Sequence, residues 1–172
     1  GGPSVKPYQP DGLWREIAMP SSNTRIFEQG MGDALWRRSV YTYWKRASPP
    51  PAMLTLDAPT REYCSAQRIN TNTPLQALVL WNDIQFVEAA RATAARVLLE
   101  TPEAERVVDL YRRCTGTTPS PGIQLAMQDT LDRFADRYTG DPEAAAALCG
   151  VGDAPLPEGV ACFTLAATLA PQ

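Results

Sequence analysis

The sequence predicts a mostly α-helical fold with a proline-rich, loop-rich N-terminal third and at most one or two short strands. From residue 73 onward, apolar residues recur at helical spacing between helix-start and helix-stop signals. Four prolines, which block long helices, lie within residues 1–36. Only one run, residues 37–46, is dense in β-branched and aromatic side chains.

We expect a single domain over residues 1–172. Residues 1–72 form its irregular, extended part and residues 73–172 its helical part. Within the irregular part, residues 37–46 predict an isolated extended segment packed on helices, since one run does not build a full sheet. Asp57 is expected to cap a short turn over residues 58–64.

The helical part begins with a capping box, Thr73-Pro74-Leu75-Gln76, that has proline at the first helical position. Thr73→Ala is expected to cost about 1 kcal/mol of stability through the lost cap. Gln76→Ala is expected to cost less, because it removes only the return half of the box. Further signals predict a short alanine-rich helix between Asp141 and Gly150, and helices near 74–81, 84–100, 103–114, 121–138 and 160–170.

Two groups of side chains are expected to be buried. Helical spacing within residues 84–100 predicts an apolar face made of Ile84, Val87, Ala90, Ala94, Val97 and Leu98. Three of the four cysteines lie among apolar or small residues, which is typical of buried free thiols. The disulfide state stays open, because an exported parent protein would permit one or two disulfides among Cys64, Cys114, Cys149 and Cys162.

Composition argues against several classes of function. The chain has 172 residues, 44% of them hydrophobic, and a formal net charge of -3. It has no run of lysine and arginine, so nucleic acid is not an expected partner. It has no apolar run of about 18 residues, so no transmembrane segment is expected. The start, Gly1-Gly2-Pro3-Ser4, lacks a methionine and a signal peptide, which predicts a piece of a longer protein.

The absence of histidine limits the chemistry of this chain. It removes the commonest general base near neutral pH and the partner of most serine and cysteine nucleophiles. No two of the four cysteines are spaced as CxxC. We therefore expect no metal, no haem and no other cofactor in this chain.

The segment after the proline run holds the candidate site residues, which are Asp57, Arg61, Glu62, Arg68 and Asn72. Asp57 and Arg61 are four residues apart and could pair on a helical turn. Arg68 could reach either carboxylate in a bidentate fork. The simpler interpretation is that these groups hold an irregular loop together. The functional interpretation is a pocket for an anionic or hydroxyl-rich ligand, with two carboxylates for acid and base chemistry.

The same segment, together with residues before and after it, resembles a known family. The matching residues are Gly1–Pro10, Gly12-Leu13-Trp14, Arg37–Arg46, Pro50-Pro51, Asp57–Glu62, Thr71–Leu78 and Asn82-Asp83. In this order they resemble the C-terminal domain of unknown function, the PSD-one type, of planctomycete cytochrome-c-domain-containing proteins. The remaining helices resemble that family in pattern only.

This resemblance implies a setting for the chain, and it implies no reaction. Such proteins are exported and envelope-associated, so the expected location is periplasmic or at the cell surface. A c-type haem would belong to a separate upstream domain of the parent protein, since its CxxCH motif is absent here. The implied partners are upstream domains of the same parent and, less directly, a polysaccharide.

Two classes of function stay open at this point. The first is a non-catalytic structural or interaction module of an exported multidomain protein. The second is part of a carboxylate-dependent enzyme or binding site that acts on polysaccharide. A solvent-open pocket that holds both Asp57 and Glu62 and is lined by aromatic residues would favour the second class. Charges that are paired and covered would favour the first.

Overall fold

A computed structural model of the protein describes residues 2–156 and 158–169. Within those residues it contains eight α-helices, three short 3-10 helices and no sheet. The predicted fold class is therefore confirmed. The chain divides into two compact units, Gly1–Gln85 and Phe86–Gln172. The prediction of a single domain stays a prediction.

The first unit is an irregular structure packed around one tryptophan. Its helices are short: α1 Leu13–Ile17, α2 Pro51–Thr55 and α3 Pro74–Asn82. Trp14 in α1 is only 2% exposed. Its ring centroid lies 5.0 Å from that of Phe27, edge to face, and 5.5 Å from that of Tyr43. These aromatic contacts replace the longer helix packing that the N-terminal prolines prevent.

The extended segment predicted over residues 37–46 is broken by a 3-10 helix, Ser39–Tyr41. After it, the chain pairs with Val5, which donates to the Tyr41 carbonyl and accepts from the Tyr43 amide, both at 2.8 Å. The result is an isolated parallel bridge between Val5 and Thr42. A second isolated bridge, which is antiparallel, joins Lys45 to Ser48. No neighbouring strand lies within the described residues, so β-propensity here yields isolated bridges and no strand.

The turn predicted over residues 58–64 with Asp57 as its cap is wrong. The helix in this region is α2, in which Pro51 takes the first position, where a missing N–H costs nothing. Asp57 follows it with φ 61°, and Arg61 has φ 63°, both in the left-handed region. Asp57 therefore ends α2 by reversing the chain. Aspartate tolerates this conformation better than most residues, whereas arginine is unusual there.

The second unit is a bundle of five helices, of which the first begins two residues before the boundary between the units. They are α4 Ile84–Glu100, α5 Arg106–Thr115, α6 Pro121–Gly140, α7 Pro142–Cys149 and α8 Cys162–Leu169. The predicted helices are present. A 3-10 turn, Glu103–Glu105, occupies the predicted start of α5. Residue 170, the predicted end of the last helix, lies outside the described residues.

Three helix boundaries in this unit follow from local capping. The Ser120 hydroxyl accepts from the Ile123 amide at 3.4 Å, and the Asp141 carboxylate accepts from the Ala144 amide at 3.0 Å. Gly116 ends α5 with φ 74°. Serine and aspartate favour the start of a helix and glycine its end, which agrees with the predicted bounds of these helices.

The buried face of α4 differs from the predicted one. The buried residues are Glu88, Arg91, Ala94, Ala95 and Val97, while Ile84 is 44% exposed. Val87 is half-buried and Ala90 is exposed. The face is rotated because Glu88 and Arg91 turn inward to bind backbone groups, which outweighs the apolar spacing.

The cysteine prediction is also partly wrong. All four cysteines are free, but Cys64 and Cys114 are exposed and Cys162 is half-buried. Only Cys149 is fully buried, at the end of α7 among small residues of α4 and α8. Its thiol donates to the Cys162 carbonyl at 3.3 Å. Burial raises the pKa of the Cys149 thiol to about 11, with the nearby Cys162 as the next cause.

Candidate functional site

The predicted capping box forms at the start of α3. The Thr73 hydroxyl accepts from the Gln76 amide at 3.3 Å, and the Gln76 side-chain oxygen accepts from the Thr73 amide at 3.0 Å. The sequence signal for this helix start is thus confirmed residue by residue.

Asp57 is the centre of a polar cluster next to this box. One carboxylate oxygen accepts from the Thr71 amide at 2.7 Å, and both oxygens lie 2.9 Å from the Thr71 hydroxyl. The Thr71 amide, and next its hydroxyl, hold the pKa of the Asp57 carboxyl below its usual value. The carboxylate therefore stays ionised at neutral pH and ties residue 57 to residue 71.

Gln76 joins this cluster from the first turn of α3. Its amide nitrogen lies 3.0 Å from the Thr55 carbonyl, 3.1 Å from the Asp57 carboxylate and 2.9 Å from the Thr71 hydroxyl. A side-chain amide has two hydrogens, so three acceptors share them. The premise that Gln76 serves only the capping box is therefore wrong: it also ties α3 to the end of α2.

The side chain of Arg68 contacts the backbone of the same loop. Its guanidinium donates to the carbonyls of Asp57 and Leu56, both at 3.3 Å. The bidentate fork to a carboxylate that the sequence suggested is thus replaced by a fork to two carbonyls. Arg68 still contributes electrostatically to lowering the pKa of Asp57, as the smallest of the causes.

Glu62 takes no part in the hydrogen bonds of Asp57 and pairs with Arg46 instead. Two parallel hydrogen bonds, of 3.1 and 2.7 Å, join the guanidinium to the two carboxylate oxygens. This bond with Arg46 lowers the pKa of Glu62 and raises that of Arg46. The pair is exposed, so it adds little to stability.

The two other predicted site residues do not join the cluster. Arg61 stacks its guanidinium over the Trp44 ring, 4.5 Å from the centroid. In the described part of the chain no ion pair links Arg61 to Asp57, so their predicted pairing is wrong. The left-handed φ of Arg61 directs the chain away from helical spacing. Asn72 is exposed and forms no side-chain hydrogen bond with the residues that the structure describes.

The chemistry open to this cluster is limited by its bonding. The Asp57 carboxylate is held by Thr71 and Gln76, and the Glu62 carboxylate by Arg46. Each carboxylate is kept in its ionised form, which suits an acceptor role and disfavours proton donation. The arrangement fixes backbone and does not place two free carboxyl groups on opposite sides of a substrate.

A second polar arrangement, in the second unit, was missed by sequence reasoning. Glu88 and Arg91 are 1% and 3% exposed. The Glu88 carboxylate accepts from the amides of Asp153 and Ala154, at 3.1 and 3.0 Å. Arg91 donates to the carbonyls of Cys149 and Ala154. Two buried charges thus bind the loop after α7 through its backbone.

The signal for this clamp was present in the sequence. Glu88 and Arg91 are three residues apart and precede Ala95 at helical spacing, so they fall on one face with small residues. Gly152, with φ 91°, lies so close to Glu88 that a Cβ there would overlap the carboxylate. A glycine in this loop opposite two charges on a small-residue face is the pattern that predicts such a clamp.

The outer surface of α3 is the other prominent feature of the first unit. Gln76 is the helix's buried residue, at 9% exposure. Four large apolar residues are exposed by about half: Leu75 58%, Leu78 50%, Leu80 48% and Trp81 52%. We call these four residues the α3 surface. In an ordinary amphipathic helix the apolar residues are buried and the polar ones face solvent, and in α3 this arrangement is reversed.

Two further observations concern metals and membranes. Within residues 2–156 and 158–169 there is no group of three or more cysteine, aspartate or glutamate side chains placed to hold a metal ion. Across the same ranges no helix has the length and apolar character needed to cross a bilayer.

Comparison with known proteins shows the family of this chain. Searches of curated proteins and of solved structures found no match. The model of one protein family matches residues 1–131, a stretch that includes both the polar cluster and α3. The chain therefore belongs to the PSD1 family, described as proteins of unknown function (DUF1553).

Proposed function

We propose that the chain is a non-catalytic interaction module, and that the α3 surface is where it docks on a partner protein. The observation that supports this proposal is the polarity of α3: its amide side chain faces inward, and four large apolar side chains face solvent. Ile84, just after the helix, adds a fifth exposed apolar residue. Leu75, Leu78 and Trp81 are spaced three residues apart, so they lie on one side of the helix. Contiguous apolar surface of this kind marks interaction sites in soluble proteins.

The residues of the α3 surface suit a protein partner. Trp81 supplies a large flat ring, and tryptophan is among the side chains that dominate binding energy at interfaces. The leucines beside it carry no charge that would have to be desolvated on binding. A helix laid against an apolar groove is a common recognition mode, in which residues three and four apart act as anchors.

The polar cluster supports the same proposal by holding α3 in place. The capping box fixes the first turn, and Gln76 ties that turn to the Thr55 carbonyl and to Thr71. A surface that is already ordered before binding loses less conformational entropy when the partner arrives. The charges thus serve the module by positioning its docking helix.

We place this module in an exported, envelope-associated multidomain protein, with upstream domains of the same parent as the partner of α3. The support is the resemblance of residues 1–83 to domains of such proteins. Fractionation of cells that produce the parent protein tests the location. Recovery of the parent from the cytoplasmic fraction alone would contradict it.

The alternative, a carboxylate-dependent site acting on polysaccharide at Asp57 and Glu62, has weaker support. Both carboxylates are bonded to side chains of the chain itself, and each to a different partner. Neither Asp57 nor Glu62 lines any of three surface cavities of the protein. The geometry therefore favours the interaction module.

A photo-crosslinking residue at position 78 tests the docking surface. Introduced into the parent protein in cells, it should give one adduct that maps to a contiguous region of an upstream domain. Trp81→Glu in the same molecule should abolish that adduct, because it places a charge in the apolar contact. Position 125 is the matched control, since Leu125 in α6 is 73% exposed and lies outside the α3 surface. Equal adducts from positions 78 and 125 would overturn the proposal.

A further inference from the structure

Two cavities adjoin in the first unit, and neither is lined by a residue of the polar cluster or of the α3 surface. Each has a volume of about 420 Å³. Trp14, Arg25 and Ile26 line both of them, so the two cavities meet along these residues. We call the pair the Trp14 groove. Its volume is within the range of about 300–1,000 Å³ that is typical of sites for small organic ligands.

Positive charge gathers at this groove. Lys6 and Arg25 line one cavity, and the Lys6 ammonium lies 5.6 Å from the Trp14 ring centroid and 5.9 Å from that of Tyr43. Lys45 covers the same indole at 4.6 Å while it donates to the Thr24 carbonyl. Cations thus surround one tryptophan.

Within the part of the chain that the structure describes, no carboxylate forms an ion pair with these cations. Arg25 forms no side-chain hydrogen bond and no ion pair with the residues that the structure describes, although it is half-buried. Glu28 lines the same cavity and Asp11 the other, and neither of them pairs with Lys6 or Arg25 there. An anionic group of a ligand would supply the missing partner, in a site where partial burial strengthens the bond.

The remaining wall suits hydroxyl groups and a ring. Ser22, Asn23 and Thr24 form a turn at the edge of the cavity, with the two hydroxyls 3.2 Å apart. Hydroxyls and amides both donate and accept, as a sugar hydroxyl requires. Tyr43 is half-buried and offers part of its ring to the cavity, where it can pack against carbon atoms.

We propose that the Trp14 groove binds a carboxylate-bearing oligosaccharide, with one carboxylate between Lys6 and Arg25. An inorganic anion would fill a small part of either cavity and would leave the hydroxyl and aromatic wall unused. Two adjoining cavities with Arg25 at their boundary fit successive units of a chain. This proposal does not depend on the α3 surface, so either can fail alone.

Calorimetric titration of the 172-residue protein with the trimer of galacturonate tests the proposal. The wild-type protein should bind the acidic trimer and should not bind the neutral trimer of galactose. Arg25→Gln should raise the Kd about tenfold through loss of one charge-assisted bond. Arg96→Gln makes the same change of charge on an exposed face of α4 and should leave the Kd unchanged.

Methyl-esterified trimer provides the same test without a variant, should Arg25→Gln fail to fold, because it removes the carboxylates from the ligand. It should bind as poorly as the neutral trimer. Equal Kd values for wild type and Arg25→Gln, or for acidic and esterified trimers, would overturn the proposal. So would absence of heat with the acidic trimer. Competition by inorganic phosphate at equal concentration would show a general anion site and would overturn the assignment to a sugar.

Discussion

Gln76→Ala is expected to destabilise the first unit more than Thr73→Ala. From the capping box alone the opposite order is expected, because the cap hydroxyl contributes more than the return bond. The structure changes the reasoning, since Gln76 is buried and its amide also donates to the Thr55 carbonyl and the Thr71 hydroxyl. Truncation leaves these acceptors without their donor.

The expected magnitudes follow from the bonds that each change removes. Thr73→Ala removes one capping bond and should cost about 1 kcal/mol. Gln76→Ala removes the return bond and the bonds to Thr55 and Thr71. At about 1 kcal/mol net for each neutral bond, the cost should be about 3 kcal/mol. The two losses should not be additive, because the residues share one box.

Tryptophan fluorescence during urea unfolding is the suitable assay. The four tryptophans lie at positions 14, 36, 44 and 81, all within the first unit, so their emission follows that unit and not the helical bundle. Gln67→Ala is the matched control, because Gln67 is an exposed residue of the same unit and makes no side-chain hydrogen bond within the described chain. A loss for Gln76→Ala equal to or below that for Thr73→Ala would refute the reasoning.

Three other predictions follow from the structure. Gly152→Ala should cost about 2–5 kcal/mol of stability, because the new Cβ overlaps the buried Glu88 carboxylate and the residue must also hold a left-handed conformation. Gly159→Ala has open space around it and should cost only the backbone strain of about 1–2 kcal/mol. Urea unfolding followed by circular dichroism measures both, and equal losses would contradict the clamp. Iodoacetamide at pH 8 should label Cys114 quickly and Cys149 only after unfolding, since burial raises the pKa of Cys149 to about 11; prompt labelling of both in the folded protein would contradict this. The pKa of Asp57 is lower in the folded than in the unfolded protein, so its ionised carboxylate stabilises the fold above the unfolded pKa of about 3.9, and this stabilisation is lost as pH falls through the folded pKa. Asp57→Asn should therefore weaken the fall of the melting temperature with falling pH, measured by fluorescence. An unchanged pH dependence of the melting temperature would contradict this.

The helices of this protein were predictable wherever local chemistry decides a boundary. Thr73, Ser120 and Asp141 cap helices in the structure as their residue types indicate, and Gly116 ends one. Capping depends on a few neighbouring residues, so the sequence contains the whole of the signal. The mostly helical fold class followed from these boundaries.

The interactions of the candidate site were less predictable, because they depend on which distant groups meet. Asp57 bonds to Thr71, fourteen residues away, and Glu62 bonds to Arg46, sixteen residues away. Sequence spacing favoured Arg61 as the partner of Asp57, but that argument requires a helical turn. The left-handed conformation of Asp57 removes the turn and with it the pair. A backbone reversal of this kind is visible only when the chain is folded.

The polar cluster and the exposed surface of α3 have one explanation in common. A short helix with apolar residues at most of its positions has no preferred buried face, since any rotation would bury apolar area. Gln76 removes this ambiguity, because its amide finds its acceptors only when it faces the Asp57 loop. Burial of a leucine in its place would gain apolar contacts but would leave the Thr55 carbonyl without its donor. The bonds of one amide side chain therefore hold the remaining leucines and Trp81 toward solvent, which is the orientation that a docking helix requires.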